Sequence, residues 1–325
     1  MNGSVSIAHA LRIDGESTAR ELAEWIRECT TTVLRRKGAV VGLSGGVDST
    51  VVAALCARAL GAENVLGVLM PERESAPETL ELSLLAADFA GIETDFEDIS
   101  GTLESAGCYK RRDAAIEQVL PEYGSGWKAK MVLPSLLDDD RLRLFKVVAE
   151  GPDGQRASAR LSSSAQREIV AATNFKQRVR KMVEYHRADR LDYAVVGTPN
   201  RLEYDLGFFV KGGDGLADLK PIAHLYKSQV YALAETLGVP NEIVSRPPTT
   251  DTYALEQTQE EFYFAVPYDA LDRCLYAWNE GLTAEEAAKG VGLESEVIER
   301  IYRDIAAKHR AASYLHEPPL LFEAV

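Results

Sequence analysis

Short, continuously apolar runs alternate with helical periodicity through residues 39–99, and a chain patterned in this way folds as a parallel, doubly wound α/β sheet. AVVGL (39–43) and NVLGVLM (64–70) are too short for helices and too uniformly apolar for half-exposed strands, so each reads as a buried strand. IETDFEDI (92–99) gives a third. Between them the spacing predicts a helix from Thr50 to Leu60 stopped by Gly61, and another over 77–90 stopped by Gly91. Upstream, Thr18 and Glu21 form a capping-box pattern. Leu22, Ile26, Cys29 and Val33 then recur at helical spacing as far as Lys37-Gly38.

From Ser100 to about Ala172 the rhythm stops. RLRLFKVVAE and QRASARL flank Gly151-Pro152-Asp153-Gly154 and predict a β-hairpin. Residues 100–172 therefore read as an insertion. It is rich in charge at Lys110-Arg111-Arg112 and Asp138-Asp139-Asp140, and its simplest form is a solvated flap. The α/β pattern resumes with a helix over 174–188, the strand YAVVG (193–197), a Gly-rich loop (206–215) and a helix from Ser228 to Leu237 ended by Gly238. Residues 283–325 read as a tail, helical from Thr283 to Tyr314, and the 325 residues together as a single domain carrying an insertion.

Thirty-six basic against fifty acidic residues give a net charge of −14, a field that opposes nucleic acid and anionic membranes. An anionic substrate must then be met by local Lys, Arg and backbone N–H groups. Cys29, Cys56, Cys108 and Cys274 show no CxxC spacing and read as reduced structural thiols. No run of about 18 apolar residues and no signal-peptide pattern occurs, so the expected location is the cytoplasm.

The chemistry is expected at Ser44-Gly45-Gly46-Val47-Asp48-Ser49, between a buried strand and a helix. Free N–H groups and the helix dipole favour an anion at such a junction. Two glycines let the backbone close around an oxyanion, and Ser44, Ser49 and Thr50 offer hydroxyls. A carboxylate in a phosphate loop is electrostatically wrong unless a divalent cation lies between the two, so Asp48 implies Mg²⁺. The loop matches neither GxxxxGK[ST] nor GxGxxG.

SGGVDS resembles the pyrophosphatase loop of ATP-dependent ligases with the adenine nucleotide alpha hydrolase-like fold, which activate a carboxylate by adenylylation. Among these the chain most resembles the NAD synthetase family, through NVLGVLMP, NFKQRVRKM (174–182), VVGTPNRLEYDLGFFVKGGDGLADLKPIAHLYKSQV (195–230), RPPTTD (246–251) and KHRAASYLHEPP. The resemblance implies Asp48 and Glu203 as Mg²⁺ carboxylates, and Ser44, Gly45, Gly46 and Ser49 as a pyrophosphate cradle. It further implies Thr198 as a nucleotide contact and Lys227 and Thr249 facing the ATP phosphates. Asn174, Arg178, Arg180, Lys211 and Asp214 are the implied contacts to the dinucleotide. Asp48, Glu203 and Lys227 are the implied catalytic residues. The implied reaction is ATP- and ammonia-dependent amidation of nicotinic acid adenine dinucleotide to NAD, in a homodimer. His224 is a weaker candidate. Glu256-Gln257-Thr258-Gln259-Glu260 stands where the family usually has Gly-Gln-Thr-Asp-Glu, and Thr250 and Tyr253 also depart from the common pattern. These departures and the insertion leave open a different carboxylate substrate, and a nucleotide-binding regulator is the alternative of another class. No glutaminase segment is recognised, so ammonia is expected from solution or from a separate donor.

Overall fold

The computed structural model describes residues 7–137, 144–249 and 252–323. After α1 (Ile7–Ala10), α2 (Gly15–Arg27) runs on into a π-helical segment, Glu28–Val33. The cap of α2 is Asp14, whose carboxylate accepts the Ser17 N–H at 3.0 Å. The helix therefore starts before the expected Thr18–Glu21 box, and Thr18 lies inside its first turn.

β1 (Ala39–Leu43), α3 (Val47–Leu60), β2 (Val65–Leu69), α4 (Pro77–Ala90) and β3 (Glu93–Phe96) follow the expected βαβαβ order. With β7 (Ala194–Val196) the strands form a wholly parallel sheet, ordered β3-β2-β1-β7. Alternate residues of β1 serve opposite faces. Ala39, Val41 and Leu43 join the core made with α2, α3 and α4, while Val40 joins Val68 and Val195 on the other face.

The 100–162 stretch is more structured than a hairpin. Two helices, α5 (Ser100–Ser105) and α6 (Cys108–Glu117), precede a three-stranded antiparallel sheet of β4 (Lys128–Val132), β5 (Lys146–Glu150) and β6 (Arg156–Arg160). The expected hairpin is its β5–β6 half. Asp138-Asp139-Asp140 and the start of RLRLFKVVAE lie outside the described residues. Arg112 is buried, paired with Glu74 and Asp113, so the basic run is not a solvated flap throughout. Beside it the buried Lys176 ammonium lies 2.6 Å from Glu72 and 2.8 Å from Glu74, and donates to the Thr252 carbonyl at 2.7 Å.

α7 (Ser163–Leu191) is capped by Ser162 and starts eleven residues before the expected 174. Its first half packs Ala165 and Ile169 on the three-stranded sheet, and its second half packs Val179 and Val183 under the parallel sheet. Beyond β7 come α8 (Arg201–Leu206), α9 (Lys227–Leu237) and α10 (Asn241–Val244). α9 adds Val230, Leu233 and Ala234 to the core of the α3 face. A further core joins α8 to α11 (Tyr268–Asn279), α12 (Ala284–Val291) and α13 (Ser295–His316). The four cysteines are unpaired. No described helix is long and apolar enough to cross a membrane.

Candidate active site

β1 is the first strand, and its two neighbours are reached by leaving it in opposite directions across the sheet. The crevice outside the carboxyl ends of β1 and β7 is therefore the topological switch point, where open α/β sheets bind ligands. The Ser44–Ser49 turn fills the β1 side. Gly45 has φ 68°, and a Cβ there would lie 2.7 Å from Leu82 Cβ. The Ser44 N–H donates to Ser49 Oγ at 3.3 Å, while the Ser49 and Thr50 hydroxyls donate to the Gly46 carbonyl at 3.0 and 2.9 Å. Those two hydroxyls brace the turn from within, and Ser44 is its exposed hydroxyl. The first N–H groups of α3 have no intrahelical acceptor, which leaves the positive end of a 14-residue helix facing the crevice.

The β7 side supplies a capping box. Asn200 accepts the Glu203 N–H at 3.3 Å, and Glu203 Oε2 accepts the Asn200 N–H at 3.0 Å. The Asn200 side chain also donates to Asp48 Oδ1 at 3.2 Å, so one buried amide fixes both expected metal carboxylates. Lys227, fully buried at the start of α9, is ion-paired with Asp48 Oδ2. Its backbone is held from α11, where Asp272 accepts the N–H groups of Lys227 at 3.2 Å and Ser228 at 2.6 Å. Burial, reinforced by the like charge of Asp48, pushes the Glu203 carboxyl up to about 8. Burial draws Lys227 downward, but Asp48 and Glu203 outweigh it and hold the ammonium above its ordinary value. Burial likewise raises Asp214, which accepts the Val210 N–H at 2.8 Å and closes the Lys211–Gly215 turn.

These groups open onto a cavity of about 600 Å³. Ser44, Gly46, Asp48, Asn174, Arg180, Thr198, Glu203, Asp214, Lys227 and Thr249 line it. Phe208, Phe209, Phe262 and Tyr263 give it an aromatic wall, and Met131 and Phe145 border it from β4 and from just ahead of β5. Gly45 and Ser49 lie behind the lining as parts of the turn. Arg178 and Lys211 lie outside it: Arg178 donates to the Lys211 carbonyl at 3.3 Å, and Lys211 donates to the Tyr314 and Glu317 carbonyls at 2.8 Å each. His224 is exposed and away from the lining. Thr250 and Asp251 lie outside the described residues. Arg246 and the buried Lys181–Glu184 pair also line the cavity, and these three residues, like Asn200 and Asp272, were not among the expected site residues. Asn200 alone had a local signal, an Asn three residues before a Glu at a helix start.

Residues 18–119 and 152–311 match the family described as NAD synthase. The chain belongs to the NAD synthase family. Within the NAD synthase family it is 55% identical over 316 residues to the NH(3)-dependent NAD(+) synthetase of Rhizobium rhizogenes, covering 97% of this chain and 95% of that one. It is 52% identical over 324 residues to the protein of the same name from Rhizobium meliloti, covering 100% and 97%. The fold matches an NH3-dependent NAD synthetase from Campylobacter jejuni at a TM-score of 0.62 and 22% identity, covering 96% of this chain and 100% of that one. It also matches an NMN synthetase from Francisella tularensis at 0.65 and 22%, covering 95% and 99%. Residues 120–151, which carry β4 and β5, fall between the two segments matched to the NAD synthase family.

Proposed function

We propose that this cavity uses ATP to adenylylate the carboxylate of nicotinic acid adenine dinucleotide and then amidates it with ammonia, yielding NAD, AMP and pyrophosphate. The observation that carries the reading is the meeting of Asp48, Glu203 and Lys227, the last 179 residues beyond the first, at one end of a single cavity. Membership of a family whose relatives are called NH(3)-dependent NAD(+) synthetases supports it.

The N–H groups of the Ser44–Ser49 turn receive the β- and γ-phosphates. Among the described residues no group of three or more His, Cys, Asp or Glu side chains could hold a metal. A pair of carboxylates beside a phosphate loop suits Mg²⁺, which keeps its remaining positions for water and phosphate oxygens. Asp48 and Glu203 would hold that ion, which when bound neutralises charge on the phosphates. A substrate carboxylate oxygen attacks the α-phosphorus, the bond to the bridging oxygen breaks and pyrophosphate leaves. The Lys227 ammonium offsets charge that grows on the phosphates in this step. Ammonia then attacks the acyl carbon, AMP leaves and a proton is released. Thr198 and Thr249 contact the nucleotide in this reading, and Asn174, Arg180 and Asp214 contact the dinucleotide, while Arg178 and Lys211, which lie outside the lining, support the loop beside it. The reading also includes a cytoplasmic homodimer supplied with ammonia from solution or from a separate donor.

The test is mass-spectrometric detection of products from the dinucleotide, ATP, Mg²⁺ and ammonium. NAD, AMP and pyrophosphate should appear together, and glutamine alone should not replace ammonium. ADP and orthophosphate as primary products would refute the adenylylation, and brisk pyrophosphate release on a different carboxylate without NAD would refute the substrate.

A further inference from the structure

Glu203 Oε2 is fixed by the Asn200 N–H within the capping box, and its other oxygen has a different partner. Gln259 Nε2 donates to Glu203 Oε1 across 3.4 Å, while Gln259 Oε1 accepts the hydroxyl of Tyr268. The orientation of the amide follows from its neighbours. A divalent cation at Glu203 keeps its carboxylate ionised, and an ionised carboxylate can only accept, so with the cation bound the NH₂ end of Gln259 faces Glu203 and its carbonyl faces the tyrosine. We propose that Gln259 and Tyr268 are positioning residues, a hydrogen-bond relay that orients the Glu203 carboxylate for the divalent cation that Asp48 and Glu203 would hold. The inference rests on the reading of Glu203 as a metal carboxylate.

The relay is anchored at each member. The Gln259 N–H donates to the Pro248 carbonyl at 3.0 Å, and the Tyr268 N–H donates to Glu260 Oε1 at 2.9 Å. The Tyr268 ring packs on Phe264, with centroids 5.6 Å apart. The segment carrying Gln259 is strapped to β4 and the residues just beyond it, in the stretch between the two segments matched to the NAD synthase family. Lys130 lies 2.8 Å from the Glu261 carboxylate, Gln257 donates to the Met131 carbonyl, and the N–H groups of Leu133 and Leu136 donate to the Glu261 and Ala265 carbonyls at 3.2 and 3.1 Å. The insertion thereby acquires a function. It buttresses from outside the parallel sheet a carboxylate that β7 and α8 place from inside it. Groups that orient a metal ligand typically change metal affinity by about 10–100-fold when removed.

Gln259→Leu keeps a side chain of similar bulk and removes both halves of the relay. Tyr268→Phe, nearly isosteric, keeps the fold and removes only the hydroxyl. Two readouts are compared with those of Glu203→Gln: the Mg²⁺ concentration for half-maximal pyrophosphate release, and Mn²⁺ binding to protein plus a non-hydrolysable ATP analogue by electron paramagnetic resonance. Gln259→Leu should weaken both by about 10–100-fold, with turnover recovering as Mg²⁺ is raised, and Tyr268→Phe should shift them in the same direction by less. A purely structural lesion would instead lower turnover equally at every Mg²⁺ concentration. Unchanged Mg²⁺ and Mn²⁺ midpoints in both relay variants, alongside a shift in Glu203→Gln, would overturn the relay. Unchanged midpoints in Glu203→Gln would overturn the metal assignment of Glu203, and the relay with it.

Discussion

Replacing Lys176 by Met would strip a buried cation from an interior network without altering the cavity's expected reactive groups. Lys176 and the Glu72 side chain are each about 1% exposed. The ammonium meets three acceptors, Glu72 at 2.6 Å, Glu74 at 2.8 Å and the Thr252 carbonyl at 2.7 Å. The two carboxylates fare differently once it is gone. Glu74 keeps its ion pair with Arg112, whereas Glu72 keeps the Tyr109 hydroxyl at 2.7 Å and the Glu74 N–H at 3.1 Å but loses its counter-ion. Stranding one buried charge costs about 3–5 kcal/mol, and at about 2.1 cal/mol/K of unfolding entropy per residue that lowers the thermal midpoint of this chain by about 4–7 °C. Glu72→Gln in the same background removes the stranded charge, so the double variant should be less unstable than the sum of the single changes. The Thr252 carbonyl, three residues from Thr249, also loses the Lys176 hydrogen bond, so the KM for ATP should rise. Differential scanning calorimetry of the four proteins of the cycle checks the argument. A Lys176→Met midpoint within a degree of the parent, or strictly additive losses, would refute it.

Gly45→Ala forces a left-handed residue costing about 1–2 kcal/mol and drives a methyl against Leu82, so denaturation should come earlier and the KM for ATP should rise. Lys227→Ala should slow pyrophosphate release by at least about a hundredfold while changing ATP affinity less, because the ammonium acts where charge develops; pre-steady-state kinetics separate the two. Glu203 has a folded value of about 8 against an ordinary 4.5, so between those values the folded state keeps a proton that the unfolded chain has lost. Metal-free protein should therefore lose stability as pH rises through that window, by at most about 1.4 kcal/mol per pH unit, and Glu203→Gln should flatten the slope in denaturant titrations with EDTA present.

What the sequence disclosed was what local pattern encodes. The strands around AVVGL and NVLGVLM, the glycine stops at Gly61, Gly91 and Gly238, and the phosphate turn each depend on a few neighbouring residues, and each lies where the pattern put it. β4 was missed because KAKMV is short and half charged, and its pairing with β5 is decided by partners elsewhere in the chain. The early start of α7 was hidden by a polar stretch, SSSAQRE, whose helicity comes from the Ser162 cap and from packing on the antiparallel sheet. Of the site, Asp48 was legible from chemistry and Glu203 and Lys227 only through resemblance. Asp272 gave no signal, since an Asp within a helix reveals its role only when another helix starts against it.

The strand order has a consequence for the order in which the molecule can be made. β1 pairs with β2 on one side as soon as residues 39–69 are available, but its other edge waits for β7, which begins only at Ala194. Until then Ala39, Val40 and Val41, all wholly buried in the finished sheet, border an open row of N–H and C=O groups in a growing chain. A nascent chain stalled within the antiparallel module would hold a complete phosphate turn but neither Glu203 nor Lys227, together with an apolar edge open to pairing with another chain. Synthesis of the segment between β2 and β7 is thus the interval in which this apolar edge is open to aggregation, and Glu203 and Lys227 are added soon after it closes.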